Sequence, residues 1–169
     1  MGKFKIVLLL AVLIALIAPA WAVLGTFAFG FLVAPAALIS AGIYVADGAQ
    51  LAHAPKITFG FLAGNFWAYF VVLVLGAVGG PTPLNLFLTL FVFVLPAVFL
   101  SMYLDKVFDL SAWLTGWAGT LIVLTVPLVA DALSPEQALL QMGISYTAGV
   151  WVVGVPILAL HGHFTKKKG

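Results

Sequence analysis

Six stretches of predominantly apolar residues follow one another along the chain, and each is about as long as a membrane is thick. A helix needs about 20 such residues to cross about 30 Å of hydrocarbon. The chain is therefore predicted to be an all-α, polytopic membrane bundle, with a single transmembrane domain over residues 1–169. The six spans are predicted near residues 5–24, 27–46, 57–78, 84–104, 111–130 and 136–160.

The composition excludes several other classes of protein. Hydrophobic residues make up 64% of the chain and charged residues 7%, with a mean hydropathy of +1.25. A soluble domain carries about 25% charged residues and a disordered chain is poor in apolar ones, so neither class fits. The seven basic residues are all lysines, too few for a nucleic-acid-binding face. Without cysteine, neither a disulfide nor a thiolate metal site can form.

The lysines predict how the spans are oriented. Two lysines precede the first span, three follow the last, and Lys56 and Lys106 lie after the second and fourth spans. With six spans all of these segments share one side, and lysines near span ends stay in the cytoplasm. Both termini are therefore predicted to be cytoplasmic. Residues 1–22 also resemble a cleavable signal peptide, and we expect them instead to be retained as the first span.

Two segments 85 residues apart share a pattern of small residues. Gly60-Phe-Leu-Ala-Gly64-Asn-Phe66 in the third span aligns with Ser145-Tyr-Thr-Ala-Gly149-Val-Trp151 in the sixth. Small residues four apart form a strip on which another helix can pack closely. The pattern therefore predicts helix contacts at Gly60, Gly64, Ser145 and Gly149.

The same offset predicts a repeat of three spans, with halves over residues 1–80 and 81–169. It also places Ser40 over Thr125. Halves with three spans each must have opposite orientations, which gives an inverted repeat of the kind found in transporters. In a chain with 17 glycines, chance matches between small-residue patterns are the alternative.

The predicted spans contain almost no ionisable residue, which argues against a proton-coupled pump and against an enzyme. Asn65 is the deepest strong hydrogen-bonding side chain. It is either an amide that joins helices or a pore group that bonds a neutral solute. The other predicted pore or solute-binding residues are Trp67, Thr120, Trp117 and Trp151. No catalytic residue, metal site or cofactor is predicted.

Prolines and end residues give further predictions. Pro35 and Pro127 fall inside spans two and five, which are repeat partners, and they are predicted helix breaks. Ser134 and Pro135 predict the N-terminal cap and first position of the sixth helix. The pair His161-Gly-His163 is interpreted as part of an interfacial tail rather than as a metal site.

The chain resembles the DUF1097 family of small bacterial inner-membrane proteins. The matching features are aromatic residues from Phe27 to Phe31, then Tyr44-Val-Ala-Asp-Gly48, and then Gly64-Asn-Phe-Trp-Ala68. A second segment, over residues 110–123, contains Leu-Thr-Gly-Trp-Ala-Gly-Thr. The resemblance implies a compact protein of the bacterial inner membrane. The family has no established activity, so it supplies no catalytic residues.

Two functions are consistent with these features. The first is a passive channel or facilitator for a small neutral polar solute of the urea, amide or ammonia type, surrounded by membrane lipid and assembled as a homo-oligomer. The second is a structural or accessory subunit that packs against a larger membrane complex. A polar path through each protomer favours the first function, and a solute-flux assay in liposomes separates the two.

Overall fold

The computed structural model describes residues 3–48, 50–126 and 130–159, and every regular element in these residues is helical. The all-α fold predicted from the sequence is therefore confirmed. Short 3-10 turns, Ala34–Ala36 and Leu51–His53, precede the second and third helices. The six main helices of the described residues are α1 Lys3–Phe27, α2 Ala37–Ala46, α3 Ala54–Ala77, α4 Pro83–Tyr103, α5 Leu110–Thr125 and α6 Pro135–Ala159.

Length and apolar composition differ among these helices. Three stretches of the described residues are long and apolar enough to cross a membrane: Leu51–Ala77, Pro83–Tyr103 and Pro135–Ala159. Three other apolar stretches are shorter, namely Ala11–Phe27, Ala34–Ala46 and Leu110–Thr125. The three long helices are consistent with a membrane protein, as the composition predicts.

The break between α1 and α2 differs from the prediction. The second span was expected to begin near residue 27, but α1 continues to Phe27 and helical structure resumes only at Ala34. Gly30 has a φ of 69°, in the left-handed region that favours glycine, so the chain turns here. Trp21 stabilises this turn, because its Nε1 donates a hydrogen bond to the carbonyl of Ala34 at 3.2 Å.

Pro35 does not interrupt a helix, which corrects one sequence prediction. It lies in the first turn of the Ala34–Ala36 segment that leads into α2. A proline is tolerated there, because the N–H that it lacks would have had no partner within the helix. Pro127, the other predicted break, lies outside the described residues, as do His161 and His163.

Side-chain caps fix where three of the helices begin. Thr82 and Asp109 accept the backbone N–H of Asn85 and Ala112, at 3.2 and 2.8 Å. Ser134 and Gln137 form a reciprocal capping box at the start of α6. The N-cap predicted at Ser134 is confirmed. Because each cap satisfies N–H groups that a helix end leaves free, these ends are well defined.

The fold is built around α3, which packs most extensively against α5 and also contacts α6. Phe61 of α3 and Tyr146 of α6 are fully buried, with ring centroids 4.7 Å apart. In contrast, α4 leaves most of its apolar side chains exposed. The central contacts among α3, α5 and α6 therefore position the polar groups described below.

The geometry of α6 changes part-way along the helix. Pro135–Ala148 is α-helical, Gly149–Gly154 is π-helical, and residues 155–159 are α-helical again. Pro156 lies two residues after the π-helical segment, and a proline supplies no N–H to the carbonyl four residues earlier and crowds that turn. The wider turn accommodates this missing hydrogen bond. π-helical turns of this kind are frequent at functional sites.

Candidate functional site

Asn65 joins three helices through two side-chain hydrogen bonds. Its Nδ2 donates to the carbonyl of Leu139 in α6, and its Oδ1 accepts the hydroxyl of Thr120 in α5, each at 2.8 Å. Because a carbonyl only accepts, the bond to Leu139 fixes which side of the amide carries the hydrogens. Asn65 is 2% exposed. The orientation of this amide is therefore set by its neighbours.

Tyr146 adds a hydrogen bond next to the Thr120 hydroxyl. A threonine in a helix often donates to the carbonyl four residues earlier, which for Thr120 is that of Gly116. The hydroxyl of Tyr146 donates to this same carbonyl, at 3.3 Å. Tyr146 thus bonds to this carbonyl, while Thr120 bonds across to α3. The side chains of Asn65, Thr120 and Tyr146, with the carbonyls of Leu139 and Gly116, form one polar network among α3, α5 and α6.

A groove of about 740 Å³ runs along α6 beside this network. Asn65 lies at its floor, and Glu136 lies at its end. It is open at the side of the bundle, since several of its lining residues, such as Phe66 and Leu140, are exposed. The remaining lining residues are Trp21, Leu62, Leu139, Gly143, Ile144, Thr147, Ala148, Trp151 and Val152.

The polar groups along the groove are few and mostly engaged. Thr147 donates its hydroxyl to the carbonyl of Gly143 at 2.8 Å. Glu136, the one ionisable lining residue among the described ones, accepts the hydroxyl of Tyr69 at 3.2 Å. Most of the groove is therefore an apolar surface, with the Asn65 amide at its floor.

Gly143 lies beside the Asn65 amide in the lining of the groove. A Cβ placed on Gly143 would lie 3.1 Å from Asn65 Nδ2 and 3.5 Å from Leu62 Cδ2. Any larger residue at this position would therefore cover the amide. Nothing in the sequence alone distinguishes Gly143 from the other 16 glycines, because its role depends on which residue of α3 it faces.

Comparison with known proteins identifies the family. The family described as protein of unknown function (DUF1097) matches residues 11–160. The chain belongs to the DUF1097 family. The resemblance found in the sequence is thus confirmed, and the match extends over most of the chain. No curated protein and no solved structure matches it.

The five predicted solute-binding residues of this DUF1097 protein do not form one site. Asn65 and Trp151 line the groove, and Thr120 lies beneath Asn65. Trp151 is 40% exposed and donates its Nε1 to the hydroxyl of Thr58 at 3.0 Å. Trp67 and Trp117 are instead packed together in a separate apolar cluster of α3, α4 and α5.

In that cluster, hydrogen bonding distinguishes the indoles. Trp67 donates its Nε1 to the carbonyl of Phe93 in α4 at 2.8 Å. Pro96 lies three residues later inside α4 and supplies no N–H to the preceding turn, namely to the carbonyl of Val92. The buried Nε1 atoms of Trp113 and Trp117 find no partner among the described residues.

Three of the four predicted packing residues, Gly60, Gly64 and Gly149, lie at close helix contacts. A Cβ on Gly60 would lie 2.7 Å from the carbonyl oxygen of Asp109, and one on Gly64 2.6 Å from the backbone nitrogen of Trp117. Gly149 instead faces α2, where a Cβ would strike the carbonyl of Ala37 and Oγ of Ser40.

Ser145, one turn before Gly149, is fully buried, and its Oγ has no partner among the described residues. The part of the chain that the structure describes contains no group of three or more residues suited to hold a metal ion.

Proposed function

We propose that the six helices form six membrane spans, with both termini cytoplasmic, and that residues 1–80 and 81–169 are inverted halves. Matched contacts of α3 and α6 support this repeat. Gly64 of α3 lies against the carbonyl of Trp113 in α5, as Gly149 of α6 lies against that of Ala37 in α2. Equivalent small residues 85 positions apart thus meet equivalent helices.

A second pair of contacts gives the register. A Cβ on Gly116 in α5 would lie 2.7 Å from the carbonyl oxygen of Phe61, and Ser40 in α2 donates to the carbonyl of Tyr146 at 2.7 Å. Phe61 and Tyr146 are 85 residues apart, while Ser40 and Gly116 are 76 apart. We therefore propose that α2 corresponds to α5 at an offset of 76 residues, in place of the alignment of Ser40 with Thr125.

The apolar clusters of the two halves follow the same registers. One cluster packs α1 against α2 and α6, and the other packs α4 against α5 and α3. The corresponding members are Ile14 and Leu90, Ile17 and Phe93, and Ala41 and Trp117, each 76 residues apart, together with Ala68 and Val153, 85 apart. Chance matches between glycine patterns would not be expected to place all four of these residue pairs in equivalent clusters.

We further propose that the protein is a passive facilitator for a small neutral polar solute of the urea, amide or ammonia type. The observation that carries this proposal is the position of the groove. It runs along α3 and α6, the two helices that the repeat relates to each other. Inverted-repeat transporters bind their substrates at such an interface, near the middle of the membrane.

The groove chemistry suits an uncharged solute. Glu136 lies at one end, and the other described lining residues carry no charge. An ion would lose its hydration along these apolar walls without compensation, whereas a neutral solute loses far less. Because the groove is open at the side, we propose that a second copy of the chain covers it, which makes the working unit a homo-oligomer.

Flux into liposomes tests the proposed function. Ile144→Trp places a large ring in the groove, and Leu73→Trp is a matched control on an exposed position outside the groove lining. We expect wild type and Leu73→Trp to accelerate urea equilibration, measured by light scattering after an osmotic jump, and Ile144→Trp to abolish the acceleration. Wild-type flux no faster than that of protein-free liposomes contradicts the proposal.

The second candidate, an accessory subunit of a larger complex, is favoured by α4. Its apolar face is exposed and carries the stacked ring pairs Phe87–Phe91 and Phe99–Tyr103. A subunit of this kind requires no solute path, so it predicts no flux from the purified protein. The liposome assay therefore decides between the two candidates.

A further inference from the structure

One of the two N–H hydrogens of the Asn65 amide has no acceptor in this network. A primary amide offers two N–H donors, and Asn65 uses one of them in its bond to Leu139. Thr120 holds the amide oxygen, so the group cannot turn over without losing both bonds. The second N–H therefore has a fixed direction.

The missing side chain at Gly143 creates room beside Nδ2. A Cβ there would lie 3.1 Å from Nδ2 and, apart from the adjoining backbone of α6, would otherwise meet only Leu62 Cδ2, at 3.5 Å. Both Gly143 and Asn65 line the groove. A ligand atom that rests against the Gly143 Cα can therefore approach Nδ2 from the groove, because no side chain stands between them.

The surroundings favour an acceptor at this place. The carbonyl of Leu139 is taken by Asn65 itself, and that of Gly143 receives the hydroxyl of Thr147. Glu136 is seven residues before Gly143, about 10 Å along the helix. The spot therefore offers a neutral donor beside apolar walls, and a buried donor left unpaired is costly.

We propose that the spot between Asn65 and Gly143 binds the carbonyl oxygen of a small uncharged amide-like solute. Asn65 donates its second N–H to this oxygen, and Gly143 admits it. The inference rests on the proposed function and names its substrate class. Solutes in which sulfur replaces this oxygen are poorer acceptors and are bound less well.

Two variants and matched solutes test the proposal. Gly143→Ala fills the space beside Nδ2, and Gly76→Ala is the control, since a Cβ at Gly76 meets nothing within 4 Å. Asn65→Asp is the second variant. In its protonated form, which burial favours, the carboxyl keeps both bonds, accepting from Thr120 and donating to Leu139, but has no hydrogen left.

Urea is compared with thiourea, and acetamide with thioacetamide, by light scattering from proteoliposomes after subtraction of protein-free flux. We expect wild type and Gly76→Ala to prefer the oxygen solutes. In Gly143→Ala and Asn65→Asp, oxygen-solute flux falls by roughly two- to tenfold, as for one lost hydrogen bond, and the preference disappears. Melting temperatures identify folded variants.

The outcomes separate the two proposals. A wild type without flux overturns both the facilitator and the binding spot. A wild type that passes oxygen and sulfur solutes equally overturns the binding spot alone. The binding spot is also overturned if a folded variant at Asn65 or Gly143 keeps the wild-type preference for oxygen solutes. If Gly143→Ala does not fold, Asn65→Asp alone provides this test.

Discussion

The hydroxyl of Thr120 donates to Oδ1 of Asn65 at 2.8 Å, which ties α5 to α3 by a buried side-chain bond. The preceding residue in α3, Gly64, lies at a close contact with the α5 backbone, so close packing and a hydrogen bond both join these two helices. Both groups are buried, so neither has water as an alternative partner. The pair therefore contributes to stability whether or not a solute passes nearby.

Thr120→Val removes this bond with little change of shape. We expect the free energy of unfolding in detergent to fall by about 0.6–1.7 kcal/mol, from the average to the maximum for hydrogen bonds between membrane helices. Thr125→Val is the control, because Thr125 is exposed and bonds only to its own helix, at the carbonyl of Leu121. Equal losses in the two variants contradict the interhelical role of Thr120.

Gly64→Ala tests the contact between α3 and α5. The added Cβ would lie 2.6 Å from the backbone nitrogen of Trp117 and would also strike the carbonyl of Trp113. Backbone atoms cannot swing aside, so the helices must separate, at a cost of about 1–3 kcal/mol. Thermal unfolding measures this loss. Gly76→Ala, with open space around it, should retain wild-type stability.

The sequence contained enough information to predict the helices, but less about how they connect. Ser134 begins α6 as predicted, because capping depends on a few neighbouring residues. The turn before Ala34 was misplaced, since its apolar residues also suit a helix and Gly30 alone marks the reversal. The π-helical turn was not predicted, although Pro156 was a visible signal for it.

The candidate site shows the same division. Asn65 stood out because an amide is rare among apolar residues, and both of its predicted roles remain compatible with its position. Gly143 and the carbonyl of Leu139 could not be predicted, since their importance arises only where α6 crosses α3. Trp67 and Trp117 are predicted to share a site with Asn65 because all three lie deep in their predicted spans. Depth within a span does not tell which side of the helix a residue faces.

Trp67→Phe tests the bond between α3 and α4. The substitution keeps an aromatic ring but loses the donor to the Phe93 carbonyl, so we expect a loss of about 0.5–1.5 kcal/mol. Trp117→Phe is the comparison, because its Nε1 has no partner among the described residues and its removal costs no hydrogen bond. A larger loss in Trp117→Phe than in Trp67→Phe would show that ring volume, rather than the bond, dominates.

Reporter fusions test the arrangement of spans. Six crossings place Gly48 and Gly169 on the cytoplasmic side and Gly80, after α3, on the opposite side, in agreement with the one-sided lysines. A reporter active only outside the cytoplasm should therefore work at Gly80 and fail at the other two positions, and a cytoplasmic reporter should give the reverse pattern. The reporter at Gly48 gives the most stringent test of the six spans, because the Ala34–Ala46 helix before it is short. If reporters at Gly48 and Gly80 lie on the same side, the chain between them crosses the membrane an even number of times. The two halves then no longer have three spans each, and the inverted repeat loses its basis.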